Sequence, residues 1–273
     1  MTRNCTQAEI KAAAFEPQYL KVGTGSSARR IAYLYRPSQA GGQQRPGIVR
    51  LAGIRSDMRA IKAVHLDRYA AKTGRAYLRF DYSGHGLSDG SFEAGTIGVW
   101  LEESLAAIRE LTEGPQILVG SSMGGWLALL IAKALHHSGE EERLKGLVLL
   151  APAVDFTEVL IFEKMPASAR AELLKNGVWM RPSAHSSARY PITKRLIEDG
   201  RNHLLFGGTI RAYCPIHILQ GMQDENIPRR HTMTLVENLA SDPVSITLVK
   251  DGDHRLAREE DLARLTAAIE AMG

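Results

Sequence analysis

The chain has 273 residues, 44% of them hydrophobic and 23% charged, which is the composition of a globular protein with one large core and excludes a disordered or fibrous chain. Thirty-four Lys and Arg against 30 Asp and Glu leave a net charge of +4. The charges are scattered rather than gathered into a stripe, so no nucleic-acid surface is indicated, while an anionic small molecule stays acceptable as substrate. The pairs Arg29-Arg30 and Arg229-Arg230 read as solvated surface. Two cysteines, Cys5 and Cys214, are too few and too separated for a disulfide framework or metal site, which fits a reducing compartment. No signal-peptide pattern and no run approaching the ~20 apolar residues of a membrane span is found. A cytoplasmic protein without integral membrane association is expected, its oligomeric state left open.

In chain order, 19–35 reads as a hairpin turned at Gly23-Thr24-Gly25-Ser26-Ser27, and 39–46 as a loop. The short apolar run 47–53 precedes a helical pattern over 58–72, and the strand 76–80 ends in the turn-rich Asp81-Tyr82-Ser83-Gly84-His85-Gly86. A helix over 96–111, a strand over 116–120, a helix over 126–135 and a strand over 147–150 follow. Trp100 and Trp126 fall on these helices and read as core. Short apolar strands alternating with helices are the pattern of βαβ units, hence a mostly parallel sheet with helices on both faces and its site at the carboxyl ends of the strands. The alternation pauses over 154–211, where Pro166, Pro182 and Pro191 punctuate helical stretches without a clear strand. It resumes with strands at 216–219 and 246–249 and helices at 231–239 and 258–272. The expected fold class is therefore α/β, with a core of residues 1–153 and 212–273 and a small helical cap at 154–211.

Gly120-Ser121-Ser122-Met123-Gly124 fits G-x-S-x-G, the sharp strand-to-helix turn that raises a serine above a sheet in strained geometry. The glycines flank positions that the turn brings too close together for side chains. Gly86-Leu87-Ser88-Asp89-Gly90 has the same spelling but lies in a Gly/Ser-rich loop with no helix behind it, so Ser88 reads as a turn serine and Ser122 as the nucleophile. A serine hydroxyl needs a histidine to take its proton and an acid to orient that histidine. In chain order these should follow as Ser, then Asp or Glu, then His. His254 directly follows the last predicted strand and is the one histidine that meets every constraint. His217 lies within a strand and reads as core, and His136, His137 and His231 as helix surface. Asp224 follows a strand beyond the insertion and is the candidate acid, with Glu225 adjacent; Asp251 and Asp253 on the histidine's own loop suit turn formation. The amides of Met123, after the nucleophile, and of Ile54, after Gly53, are the candidate oxyanion donors.

The runs Arg79-Phe80-Asp81-Tyr82-Ser83-Gly84, Ser88-Asp89-Gly90, 114–122 with Gly124-Gly125-Trp126, Gly177-Val178-Trp179, Cys214-Pro215-Ile216, Gly221-Met222 with Asp224, and Asp253-His254-Arg255 together carry a resemblance. From about residue 47 to the final helix the chain resembles the α/β-hydrolase superfamily, and within it the abhydrolase-ten type with its bacterial relatives. The resemblance implies a palmitoyl-protein thioesterase or acyl-glucuronide esterase, with the same three catalytic residues as above. The sequence departs from that pattern in the loop Ile54-Arg55-Ser56-Asp57 and in the insertion, both of which would touch substrate. No Arg/Ser-rich transit segment accompanies it.

The expected chemistry is acyl transfer from an ester or thioester through Ser122, His254 and Asp224, with no cofactor and no metal. Phe156, Leu160 and Trp179 are expected to line an acyl groove within the insertion, although packing the cap on the body is the commoner role for any one of its apolar residues. Two readings compete: a small-molecule carboxylesterase without a thioesterase role, and a non-catalytic binding module on the same fold. A dehalogenase would need a carboxylate where Ser122 stands.

Overall fold

Buried hydrophobic runs and helical periodicity resolve into one eight-stranded sheet. The structure, a computed structural model, describes residues 16–39, 41–182, 189–240 and 243–273; Cys5 and most of the N-terminal run lie outside them. Strands β1 (Gln18–Val22) and β2 (Arg29–Arg36) form the predicted antiparallel hairpin, turned at Gly25–Ser27. Next come β3 (Gly47–Leu51), helix α1 (Ile61–Thr73), β4 (Tyr77–Phe80), α2 (Ile97–Leu111), β5 (Gln116–Ser121), α3 (Met123–His137) and β6 (Leu144–Leu150). After the insertion, which holds α4 (Ala167–Asn176), β7 (Val178–Pro182), β8 (Arg189–Thr193) and α5 (Lys194–Gly200), come β9 (Ile216–Gly221), α6 (Arg229–Asn238), β10 (Val244–Val249) and α7 (Glu259–Glu270). The sheet order is β1-β2-β4-β3-β5-β6-β9-β10. From β4 to β10 every neighbour is parallel, and β2 alone runs the other way, antiparallel both to β4 and to β1.

The sequence explains the layers. All five residues of β3 are buried, as a strand covered on both faces requires. One face packs Trp100 of α2 and Trp126 of α3, both fully buried, together with cap residues. The other packs Leu66 and Ala70 of α1 against Leu265 and Ile269 of α7. α2 begins where predicted because the Thr96 side chain accepts from the Val99 amide at 3.3 Å, satisfying one otherwise orphaned donor.

The insertion is less helical than expected. It contains a π-helical turn (Thr157–Phe162), α4 (Ala167–Asn176) and α5 (Lys194–Gly200), but between the helices lies an antiparallel hairpin of β7 (Val178–Pro182) and β8 (Arg189–Thr193). Proline had argued against strand here, yet in a two-stranded ribbon both strands are edges, where a residue without an N–H is tolerated. Two surface assignments are also corrected. Arg29 is paired with Glu102 at 2.7 Å and with the fully buried Glu103, so it is largely covered. His231 is buried, its ring edge-on to Phe206 at 5.2 Å, because the chain leaving the cap folds over α6.

The order of strands fixes where chemistry can occur. The chain leaves β3 for β4 on one side and then crosses back from β4 to β5 on the other, so the connections leaving β3 and β5 diverge to opposite faces and open a crevice at the strands' carboxyl ends. The register pairs Leu51 with Gly120 and Val249 with Gly221. Gly53 therefore sits beside the turn after β5, and the loops after β9 and β10 start level with each other.

Candidate active site

β5 passes directly into α3, and the turn holds Ser122 at φ 54°, ψ −119°, a region that costs a non-glycine residue of order 1–3 kcal/mol. A Cβ on Gly120 would lie 2.3 Å from Gly124 O, and one on Gly124 2.2 Å from Leu51 O. Only glycine fits either place. The strained turn is fastened by Ser122 N donating to Leu150 O at 2.9 Å and by Gly125 N and Ala153 N donating to Ser122 O at 2.8 and 3.0 Å. Ser121 continues β5 opposite Leu150. Ser88, by contrast, is fully engaged as a structural hydroxyl, accepting from Ala32 N at 2.8 Å and donating to Asp81 O at 2.5 Å.

The loops after β9 and β10 bring together residues thirty positions apart. A Cβ on Gly221 would come within 2.5 Å of Gly252 O and Asp253 O, so the bare backbone there lets the two loops touch. His254 Nδ1 lies 2.8 Å from Asp224 Oδ2. A carboxylate only accepts, so Nδ1 carries the proton and Nε2 keeps its lone pair free for a substrate-side proton. Asp224 is held from the far side, its Oδ1 accepting from Asn226 N at 2.9 Å and Ile227 N at 2.8 Å. The other acids have different work. Asp251 pairs with Arg258 at 2.6 Å, Asp253 accepts the Arg255 and Leu256 amides at 3.0 Å each, and Glu225 is exposed.

Ser122 and His254 line one cleft of about 150 Å³, together with Ile54, Met123, Phe156 and Leu160. Six of the eight residues singled out from sequence therefore meet there, and Asp224 stands directly behind His254. Trp179 does not line it. It shares a face of β7 with Arg181 but lies two residue pairs further along the hairpin, opposite Ile192, and packs toward the core. Arg181 and Tyr190, cross-strand partners on the hairpin, line the cleft instead.

The loop after β3 packs tightly on the Ser122 turn: a Cβ on Gly53 would sit 3.2 Å from Ser121 O and 3.3 Å from the Ser122 Cβ. Met123 N belongs to the first turn of α3 and so has no intrahelical acceptor. The Ile54 and Met123 amides thus flank Ser122 from two different strand ends.

Sequence reasoning gave no role to four neighbours. Arg55 lies 4.8 Å above the Tyr190 ring and Arg181 6.0 Å from it, and neither guanidinium forms an ion pair among the described residues. His85, treated only as part of a turn, is buried beside the Ile54 loop. Asp155, at the cap's entry, is buried and accepts from Leu205 N and Phe206 N at the cap's exit. The signals were present as a histidine between two glycines and an aspartate between apolar residues, but neither shows its partner in a one-dimensional pattern. Among the described residues no group of three or more His, Cys, Asp or Glu is placed to hold a metal ion.

The family model described as the alpha/beta hydrolase family matches residues 55–271. The chain belongs to the alpha/beta hydrolase family. As a member of it, the protein is similar to the palmitoyl-protein thioesterase ABHD10, mitochondrial, of Bos taurus, at 37% identity over 226 residues covering 82% of this chain and 72% of that one. Among solved structures, a putative hydrolase from Agrobacterium vitis S4 superimposes with a TM-score of 0.90 at 46% identity, covering 94% of this chain and 98% of that one. Mouse alpha/beta hydrolase domain-containing protein 10 does so with a TM-score of 0.82 at 32% identity and the same coverage. The resemblance carried by the motif runs is borne out. No helix among the described residues is long and apolar enough to cross a membrane.

Proposed function

We propose that this hydrolase cleaves carboxylic esters or thioesters through an acyl-enzyme on Ser122. The observation that carries the reading is the 2.8 Å His254–Asp224 pair beside a serine held in a strained strand-to-helix turn on the same cleft. Ser122 Oγ attacks the substrate carbonyl carbon while its proton passes to His254 Nε2. The carbonyl oxygen becomes an oxyanion held by the Met123 and Ile54 amides. Collapse breaks the ester or thioester bond, and His254 returns the proton to the departing alcohol or thiol. Water then repeats the sequence and frees the acid and Ser122. Asp224 keeps Nε2 unprotonated and stabilises the imidazolium that forms. No step needs a cofactor.

Replacement Ser122→Ala should lower kcat by about 10⁴ to 10⁶-fold with the fold intact. A fluorophosphonate should label Ser122 by mass spectrometry; label on Ser88, or wild-type turnover by the alanine variant, would sink the assignment. Absence of any label would favour the non-catalytic binding module.

The name of the Bos taurus relative supports thioester substrates, and a carboxylesterase without that role would share every catalytic residue. Rates on matched acyl thioesters and p-nitrophenyl esters separate the two. A cleft of about 150 Å³ is near the size at which an apolar protein cavity holds one benzene molecule, about 150 Å³. Phe156 and Leu160 line this half-open cleft, so a compact acyl group fits against them and a longer chain runs out past the hairpin. Across a chain-length series kcat/KM should peak among short acyl groups. Arg55 and Arg181, free of ion pairs among the described residues, favour a substrate with an anionic leaving portion, as an acyl glucuronide has. A cytoplasmic location stays part of this proposal, tested by fractionating cells that express the tagged chain; the relative's name places that protein in mitochondria.

A further inference from the structure

The loop that supplies the Ile54 amide is a turn with an awkward centre. Ser56 N donates to Gly53 O at 3.1 Å, closing a four-residue turn over Ile54 and Arg55. Arg55, its third residue, stands at φ 59°, a left-handed position that favours glycine and is uncommon for a residue with a side chain. Something outside the turn must hold it there. Arg55 N donates to His85 Nε2 at 3.0 Å, and the other ring nitrogen, Nδ1, lies 3.2 Å from Ser83 O. A carbonyl oxygen can only accept, so Nδ1 is protonated and Nε2 presents the lone pair that the Arg55 amide needs.

The ring has no freedom to turn away. His85 is 5% exposed and meets Tyr82, Phe92 and Trp100 edge-on at centroid distances of 5.7, 5.4 and 5.3 Å. Trp100 is itself fixed by its indole N–H donating to the same Ser83 oxygen at 3.2 Å. The loop bearing His85 folds back because Asp81 accepts from Leu87 N at 2.9 Å and, across to the next segment, from Met58 N at 2.7 Å.

We infer that His85 is a positioning residue for the oxyanion site: by accepting the Arg55 N–H it locks the Gly53–Ser56 turn and thereby aims the adjacent Ile54 N–H at the carbonyl oxygen of the substrate. The inference rests on the acyl-enzyme reading above. His85 touches neither substrate nor Ser122 and acts only through the turn. Desolvation holds the ring below the ordinary histidine value, so it stays neutral and able to accept.

Two variants test it. His85→Phe keeps the ring among its aromatic neighbours and removes the acceptor, whereas His85→Gln carries an amide oxygen to about the place of Nε2. Displacing one oxyanion donor without deleting it should lower kcat about 30 to 100-fold in His85→Phe. KM should stay within about threefold, and affinity for a trifluoromethyl ketone, which forms the tetrahedral adduct, should fall by the same factor as kcat. His85→Gln should recover most of both. The inference is overturned if His85→Phe keeps kcat within about threefold of wild type, if ketone affinity is unchanged while kcat falls, or if Gln is no better than Phe. If the Phe variant does not fold, His85→Gln is compared with His85→Asn, whose shorter side chain cannot reach the Arg55 amide; equal rates for the two overturn the inference. Loss of the acyl-enzyme reading would show separately, as failure of fluorophosphonate to label wild-type Ser122.

Discussion

At the scale of single residues, identity matters less than what the backbone does around a side chain. Ser122 and Ser88 have the same five-letter surroundings, yet one stands in a strained turn between strand and helix and the other is spent on Ala32 N and Asp81 O. That difference was legible because a strand before and a helix after can be read from periodicity. The acid was less legible, since Asp224 and Glu225 are adjacent and both follow β9. Burial distinguishes them: Asp224 accepts two loop amides and faces His254, while Glu225 is exposed. Steady-state kinetics should therefore show Asp224→Asn lowering kcat by about 10⁴-fold, because an amide no longer fixes the Nδ1–H tautomer. Glu225→Gln should leave kcat within about twofold. Equal losses in both variants would assign the acid wrongly.

At the scale of elements, the cap is the part least determined by local pattern. Its hairpin was hidden by Pro182 and Pro191, which only the ribbon's lack of a second neighbour makes tolerable. Asp155 ties its two connections to each other. It sits at φ 54° where the chain enters the cap and accepts Leu205 N at 2.9 Å and Phe206 N at 2.7 Å where the chain leaves it. Burial pushes its carboxyl up to about 6, against the downward pull of those two amides. The folded value thus lies above that of an unfolded aspartate, about 3.9. The folded state holds the proton more tightly, so this group's contribution is fully present below about pH 4 and is lost as pH rises through about 6. Melting temperature measured from pH 4 to 7 should fall less with rising pH in Asp155→Asn than in wild type. Parallel curves would mean that the carboxyl does not titrate in this range.

At the scale of the whole molecule, the sheet is braced by charges that composition alone would place on the surface. Asp67 of α1 pairs with Arg36 of β2 at 3.0 Å and with Arg79 of β4 at 3.6 Å, and the Arg79 side chain is 3% exposed. Removing the acid strands a buried guanidinium, so Asp67→Ala should cost about 3–5 kcal/mol in urea unfolding. A loss below about 1 kcal/mol would show that Arg79 finds another partner or water. The sequence by itself determined the alternation of strand and helix, the parallel core, the strand-to-helix turn that carries Ser122 and the strand-end placement of His254. These follow from periodicity, chain order and the local geometry of tight turns, all of which act over a few residues. Tertiary structure alone decided the Arg181 and Tyr190 lining, the exclusion of Trp179 from the cleft and the hold of His85 on the Ile54 loop. Each of these depends on strand register or on a loop closing across tens of residues, where the partner of a buried polar group is set by packing rather than by sequence spacing.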